Sequence, residues 1–371
     1  LSTFISTRMR LGYFLFPRET IQYVARAIFF TFMFIMSYTG LVKTRLIIRS
    51  FIFVFILAML IGILQWIPWP GRIVFIKLYP FRDGQLQIDK LVLPLYLTRI
   101  HGFARNATAN AGFAVFVAVY SVAVLIADKA SRRASLLLLL FSTVNILASL
   151  SRAGLASALF AILLFLLIGL YYSKNRKRII YIAAIMGSLL IVICMGLYLS
   201  GNNYITFMFN RFLRLFYSAG GERFTVQPRY FFSLMRGSDY LFGLSNPIIN
   251  LSKIPWGIES EPLNIFVNYG LFGVLLQYSL VVVLLRYYFA RLTLPRLRNH
   301  EREAFLLTLA SFVGLLIYQV FSTGFFFFRD VTIGFLPWLI FGTAVGHLER
   351  LSSTSTDECL ISSQPEFQLS N

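Results

Sequence analysis

Eight arginines stand where the topology of a membrane protein has no use for them: Arg99, Arg105, Arg152, Arg211, Arg214, Arg223, Arg229 and Arg236. A guanidinium is a planar fork of N–H donors that grips phosphate oxygens in pairs, which an ammonium cannot do. A set of such cations at one membrane face is a candidate site for an anionic substrate. Arg211 and Arg214 are three apart and share a face if helical. Arg223 and Arg229 follow the pair Gly220–Gly221. The competing reading for each arginine is snorkelling, with the stem along apolar surface and the head at lipid phosphates.

Two carboxylates, Glu259 and Glu261, precede an apolar run that starts near Leu263. A carboxylate there could take a proton from an attacking hydroxyl. It could equally be a solvated acid complementing the helix dipole. In "RIHGFARNATANAGF", Arg99, Arg105 and Asn106 could hold an anion near a helix N-terminus. Asn106 also begins an Asn-Ala-Thr glycosylation pattern, which is short enough to arise by chance. In "ASLSRAGLASALFAILLFLL", Ser151 and Arg152 fall at a tight turn between two apolar runs. Arg152 has almost no loop to escape into and should point to a polar cavity, although a turn arginine can also reach headgroups. Gly154, Ala156 and Ala158 would allow close helix packing.

Helices must position these residues. The chain has 371 residues, of which 58% are hydrophobic and 13% charged, more apolar surface than a soluble domain can hide. Runs of about 18–25 apolar residues recur, each long enough to cross a bilayer. The expectation is an all-α membrane protein, a polytopic bundle of about nine helices near 21–42, 50–67, 109–127, 134–150, 153–172, 179–200, 263–285, 304–321 and 331–347. Short basic connections recur around Lys43–Arg49, Lys129–Arg133, Lys174–Arg178 and Arg286–Arg302. They alternate so as to share one side, which the positive-inside rule makes cytoplasmic. The other side then carries two long loops, about 68–108 and 201–262, and with them the surplus arginines. The membrane domain is expected over 1–347, and 348–371, rich in Ser and Thr, is expected to be a disordered cytoplasmic tail. Alternation puts the N-terminus outside with no signal peptide, so the further expectation is an N-terminally truncated chain with one or more helices before Leu1.

The net charge of +19 lies in short blocks between apolar runs, which argues for juxtamembrane segments and against nucleic acid. Cys194 and Cys359 form no metal spacing, and His101, His300 and His347 are far apart, so neither metal nor cofactor is expected.

The three elements, in this order, resemble the O-antigen ligase and O-antigen polymerase superfamily of polytopic bacterial glycosyltransferases. The likeness covers roughly residues 20–347. The family's Arg–Gly–Asn segment before a helix is met by Arg99, Gly102 and Asn106, although its usual second asparagine is Thr108 here. "SRAGL" at Ser151–Leu155 matches its Ser-Arg-Gly-like turn, and Arg223, with Arg229 as a second, matches its loop arginine near Gly243. Ligases carry a histidine–asparagine pair about eleven residues before the first glycine of a closing Gly-Leu-x-Gly. Counting back from Gly270 puts Glu259 in the histidine's place, a departure that resembles a repeat-unit polymerase; a slip of the match would favour Glu261.

The resemblance implies a metal-independent polymerase at the periplasmic or outer face of the bacterial inner membrane. Its donor would be an oligosaccharide on undecaprenyl diphosphate, and its acceptor a second lipid-linked unit. Catalytic roles would fall to Glu259, Arg223 and Arg152, and substrate binding to Arg99, Arg105, Asn106, Arg211, Arg214, Arg229 and Glu261. The lipid bilayer, a chain-length regulator and a flippase would be its partners. A ligase acting on lipid A core, or a lipid-linked sugar transporter, are the alternatives. Transport would favour broken helices with midplane charges, whereas the surplus charges here gather at one face.

Overall fold

The computed structural model describes residues 18–77, 99–104, 107–127, 132–172, 176–199, 225–244, 258, 260–292 and 335–362, with isolated positions within 206–210 and 309–320. The described residues are all-helical, with no strand among them. In chain order the helices are α1 (Arg18–Tyr38), α2 (Thr44–Trp66), α3 (Arg72–Lys77), α4 (Ala107–Ala127), α5 (Arg132–Ala148), α6 (Arg152–Tyr172), α7 (Arg176–Leu199), α8 (Val226–Leu234), α9 (Asp239–Phe242), α10 (Glu261–Leu292) and α11 (Leu336–Ser362). Four of them hold stretches long and apolar enough to cross a membrane: Arg49–Trp66, Ala107–Leu125, Arg152–Tyr171 and Glu261–Tyr287. Leu159, Phe160, Leu163, Leu164 and Leu167 lie exposed on α6, a continuous apolar surface that suits hydrocarbon rather than water.

Helix α4 is the centre of the bundle, and its small residues explain how it can be. Alanines at 109, 111, 114, 118 and 123 are fully covered, which lets α5, α6 and α7 approach its backbone. Phe55 of α2 closes this core edge-on against Phe113, Phe116 and Tyr120, with ring centroids 5.5, 5.3 and 5.9 Å away. Each such pair adds roughly 0.5–1.5 kcal/mol beyond the area it buries. Helix α2 stops where it does because Ile67 precedes Pro68. The proline ring drives Ile67 into the extended region, at ψ 134, and the helix cannot continue.

Helices α1 and α11 form a second close pair. Gly342 and Gly346, one turn apart, face the carbonyls of Phe30 and Phe34 so closely that a Cβ would lie 2.3 and 2.4 Å from those oxygens. The Ser37 hydroxyl donates to Thr343 O at 2.8 Å across the same seam. The Tyr287 hydroxyl of α10 donates to Glu349 Oε1 at 2.6 Å, which ties α10 to α11.

That anchor corrects one expectation. Residues 348–362 of the anticipated disordered tail are helical and continue α11. Leu348 is buried, Glu349 is held by Tyr287, and the Arg350 guanidinium lies over Gly40 at the end of α1. A weak Ser/Thr helix former therefore follows a firmly docked turn.

Within 201–262, expected as a long loop, residues 225–244 are folded. Helices α8 and α9 pack on the first half of α10 around Phe231, Met235, Leu244, Ile258 and Val267. Helix α10 itself is two helices joined at Gly270 (φ 65, ψ −164), where one continuous helix was expected. Two glycines make this joint. A Cβ on Gly270 would meet Leu241 C at 2.3 Å, and one on Gly243 (φ 78) would meet Asn268 C at 2.2 Å. The backbones of α9 and α10 touch there, and Leu244 N–H donates to Val267 O at 2.6 Å.

Candidate anion-binding corner

One end of the bundle gathers polar side chains from six segments. Gln65, in the last turn of α2, is the clasp. Its Oε1 accepts the backbone N–H groups of His101 (3.2 Å) and Gly102 (2.8 Å), and its Nε2 donates to Phe75 O and Gly102 O, each at 3.2 Å. This fixes residues 99–104 against α2. Gly102 has φ +54, and a Cβ there would sit 2.4 Å from Asn110 Oδ1, so the position demands glycine twice over.

Beneath that turn, Asn110 of α4 donates to Asn145 Oδ1 at 3.3 Å. Asn145, fully buried in α5, donates in turn to Met59 O (2.8 Å) and Phe141 O (2.9 Å). Gly62 makes room for it, because a Cβ there would overlap Asn145 Oδ1 at 1.9 Å. Three helices are thus joined by one asparagine pair in an otherwise apolar core, where a half-satisfied amide would be costly.

The same segment closes the end of α5. Ile100 N–H donates to Ala148 O at 3.2 Å, and Arg99 Nε donates to Ser149 O at 3.1 Å, so a cation meets the negative end of the helix dipole. The chain then turns through Leu150, whose φ of 51 is unusual for a side-chain-bearing residue. Ser151 starts α6, its hydroxyl accepting the Gly154 N–H at 3.1 Å as an N-cap. Arg152 is the first residue of that helix and is partly exposed. Arg99 is therefore bonded to the turn from which Arg152 opens α6. Removing the cap by Ser151→Ala should cost about 1 kcal/mol. A thermal scan of the purified chain checks this, and an unchanged midpoint would mean that the cap contributes nothing.

A third arginine belongs to this corner and was passed over in the sequence. Arg72 begins α3 and donates from Nε to Gln65 O at 2.7 Å. It is 7% exposed, and its Nη2 is buried without a hydrogen bond. Burial alone pulls its guanidinium below the ordinary arginine value. Gln65, Asn110 and Asn145 were also missed. Their one signal was amide character inside or beside apolar runs, where polar side chains are rare.

The remaining expected residues fall elsewhere. Arg229 is exposed on α8. Arg236 is exposed too, and its backbone N–H donates to Asp239 Oδ2 at 2.9 Å. His101 lies in the Gly102 turn and is buried, its Nδ1 3.1 Å from Gly102 O. Glu261 is not in a loop before the helix but is the first residue of α10, and is 3% exposed. Asn264 Nδ2 donates to Glu261 Oε1 at 3.2 Å, and Asn268 Nδ2 donates to Asn264 Oδ1 at 2.8 Å, giving a buried polar strip along one face. Arg105, Asn106, Arg211, Arg214, Arg223 and Glu259 lie outside the described residues.

Comparison with protein families, with curated proteins and with solved structures finds no match.

Proposed function

We propose that this chain is a membrane glycosyltransferase that polymerises polysaccharide repeat units at the extracytoplasmic face of a bacterial inner membrane. The observation that carries the reading is the hydrogen bond by which Arg99, beside the Gly102 turn, is held to the α5–α6 turn that Arg152 follows. These residues come from two of the three elements that carry the resemblance, and the bonds of Arg99 to Ser149 O and of Ile100 N–H to Ala148 O tie the two segments to each other.

In this reading the bundle crosses the membrane about nine times. The corner faces outward, and it takes the diphosphate of an undecaprenyl-linked oligosaccharide. A hydroxyl of the acceptor sugar attacks the anomeric carbon of the donor. A new glycosidic C–O bond forms as the bond to the diphosphate breaks, and the lipid diphosphate leaves with the electron pair. Arg99 and Arg152, with Arg223 and Arg229 from the second loop, neutralise that leaving group, so the reading requires no metal. Glu259 accepts the hydroxyl proton. Glu261, two residues on and oriented by Asn264, is the other carboxylate at this place.

The test is the length profile of lipid-linked and surface glycan after deletion of the gene. Single repeat units with the ladder gone are expected. Complementation should restore the ladder with wild type and fail with Glu259→Gln. Full-length polymer stranded on its carrier would make the chain a ligase, and repeat units trapped on the cytoplasmic side would make it a flippase. An unchanged profile would remove the chain from this chemistry altogether.

A further inference from the structure

Arg72 is a buried cation whose Nη2 has no hydrogen bond. Its side chain makes one hydrogen bond, to the Gln65 carbonyl, and has no carboxylate partner among the described residues. That bond accounts for Nε and complements the end of α2, but leaves the paired nitrogens of the fork without a counter-charge. Arginine does not shed its proton to escape burial. Snorkelling does not account for it either, because a snorkelling arginine exposes its head, whereas Arg72 is 93% covered by the fold (7% exposed). Gln65 binds both Arg72 and the His101–Gly102 turn. Two residues before that turn, Arg99 is bonded to the α5 end from which Arg152 follows.

We infer that Arg72 is a third ligand of the corner, binding a phosphate oxyanion together with Arg99 and Arg152. The inference rests on the reading of this corner as a diphosphate site and adds a residue on which that reading did not depend. No described residue supplies the counter-charge, and a prenyl diphosphate would supply both that charge and an apolar tail for the lipid side.

The test uses the purified full chain in a phosphate-free maltoside detergent. Three probes are titrated separately: inorganic pyrophosphate, farnesyl diphosphate and phosphatidylglycerol in mixed micelles. Farnesyl diphosphate should bind wild type most tightly. Arg72→Met should weaken it by about tenfold or more, as loss of a charge-assisted fork does. The same variant without ligand should melt at or above the wild-type temperature, because an unmatched buried charge has gone. Arg72→Lys keeps the charge without the fork, so it should show a smaller loss and carries the test if the Met variant fails to fold. Arg72-dependent binding of pyrophosphate alone, or of phosphatidylglycerol alone, would support the site and name free phosphate or a lipid headgroup as its ligand. Equal affinity of wild type and both variants for every probe, or no binding by wild type, would overturn it. No polymer is measured. A chain that binds through Arg72 yet makes no glycan would sink the polymerase reading alone, and one that makes glycan with Arg72-independent binding would sink this inference alone.

Discussion

Arg152→Glu should leave the protein in the membrane at near wild-type abundance and reduce polymer by a factor of roughly a hundred or more. The two halves of that expectation have separate causes. Position 152 opens α6, directly after the Ser151 cap. A carboxylate in the first turn of a helix is favoured by the macrodipole, which offsets part of any local loss, so the fold should survive. A diphosphate leaving group meets the opposite situation. Removing one preorganised donor from a developing anion costs about a hundred- to a thousandfold in rate, and an anion in its place adds repulsion. Arg152→Lys should fall between, because a point charge replaces a fork. Immunoblots of membranes beside glycan ladders separate abundance from activity. A normal ladder from the Glu variant would end the assignment of Arg152 to the site.

The pattern of what the sequence reveals follows from where each signal resides. Apolar runs are local, and the long described helices fall where those runs are, whereas the short helices α3, α8 and α9 lie in segments expected to be loops. Gly102 was named only through the resemblance, and the structure supplies its physical reason, a positive φ of 54. The break in α10 was not legible. Gly270 within an apolar stretch is compatible with an unbroken helix, and what imposes its conformation is Gly243, whose backbone arrives from another element. Arg72 was overlooked for a related reason. In a segment following Pro68 and Pro70 it reads as an ordinary loop cation, and only the tertiary fold, through Gln65 and the turn at His101, covers it. The polar strip of Glu261, Asn264 and Asn268 has helical spacing, but that its face turns inward is decided by packing against α8 and α9 and the main core. Six of the ten residues named for chemistry lie outside the described residues, so the corner that can be built rests on Arg99 and Arg152, with Arg72 joined to them.

The largest loss of stability should come from a seam remote from this chemistry. Gly342→Ile together with Gly346→Ile should prevent α1 and α11 from docking and leave little monodisperse protein after purification. Each new Cβ would fall within 2.3–2.4 Å of a main-chain oxygen of α1, Phe30 O or Phe34 O. A carbonyl held in a helical ladder cannot swing aside as a side chain can, so the axes must separate along the whole contact. Separation would break the Ser37–Thr343 bond and the edge-on pair of Phe30 with Trp338, whose centroids are 6.4 Å apart. Overpacking at one core position costs roughly 1–3 kcal/mol, and two positions one turn apart on the same seam act together. Alanine at either position should already destabilise, because the clash begins at Cβ. Gly187 provides the control: it lies exposed within α7, and a Cβ there meets nothing within 4 Å. Gly187→Ala should therefore be neutral or stabilising by up to about 1 kcal/mol, the ordinary helix preference. The measurement is the thermal midpoint of the three alanine variants in one detergent. If all three shifted alike, backbone flexibility rather than the close approach of α1 and α11 would explain the glycines. Opposite signs at Gly346 and Gly187 would locate the effect in the seam itself.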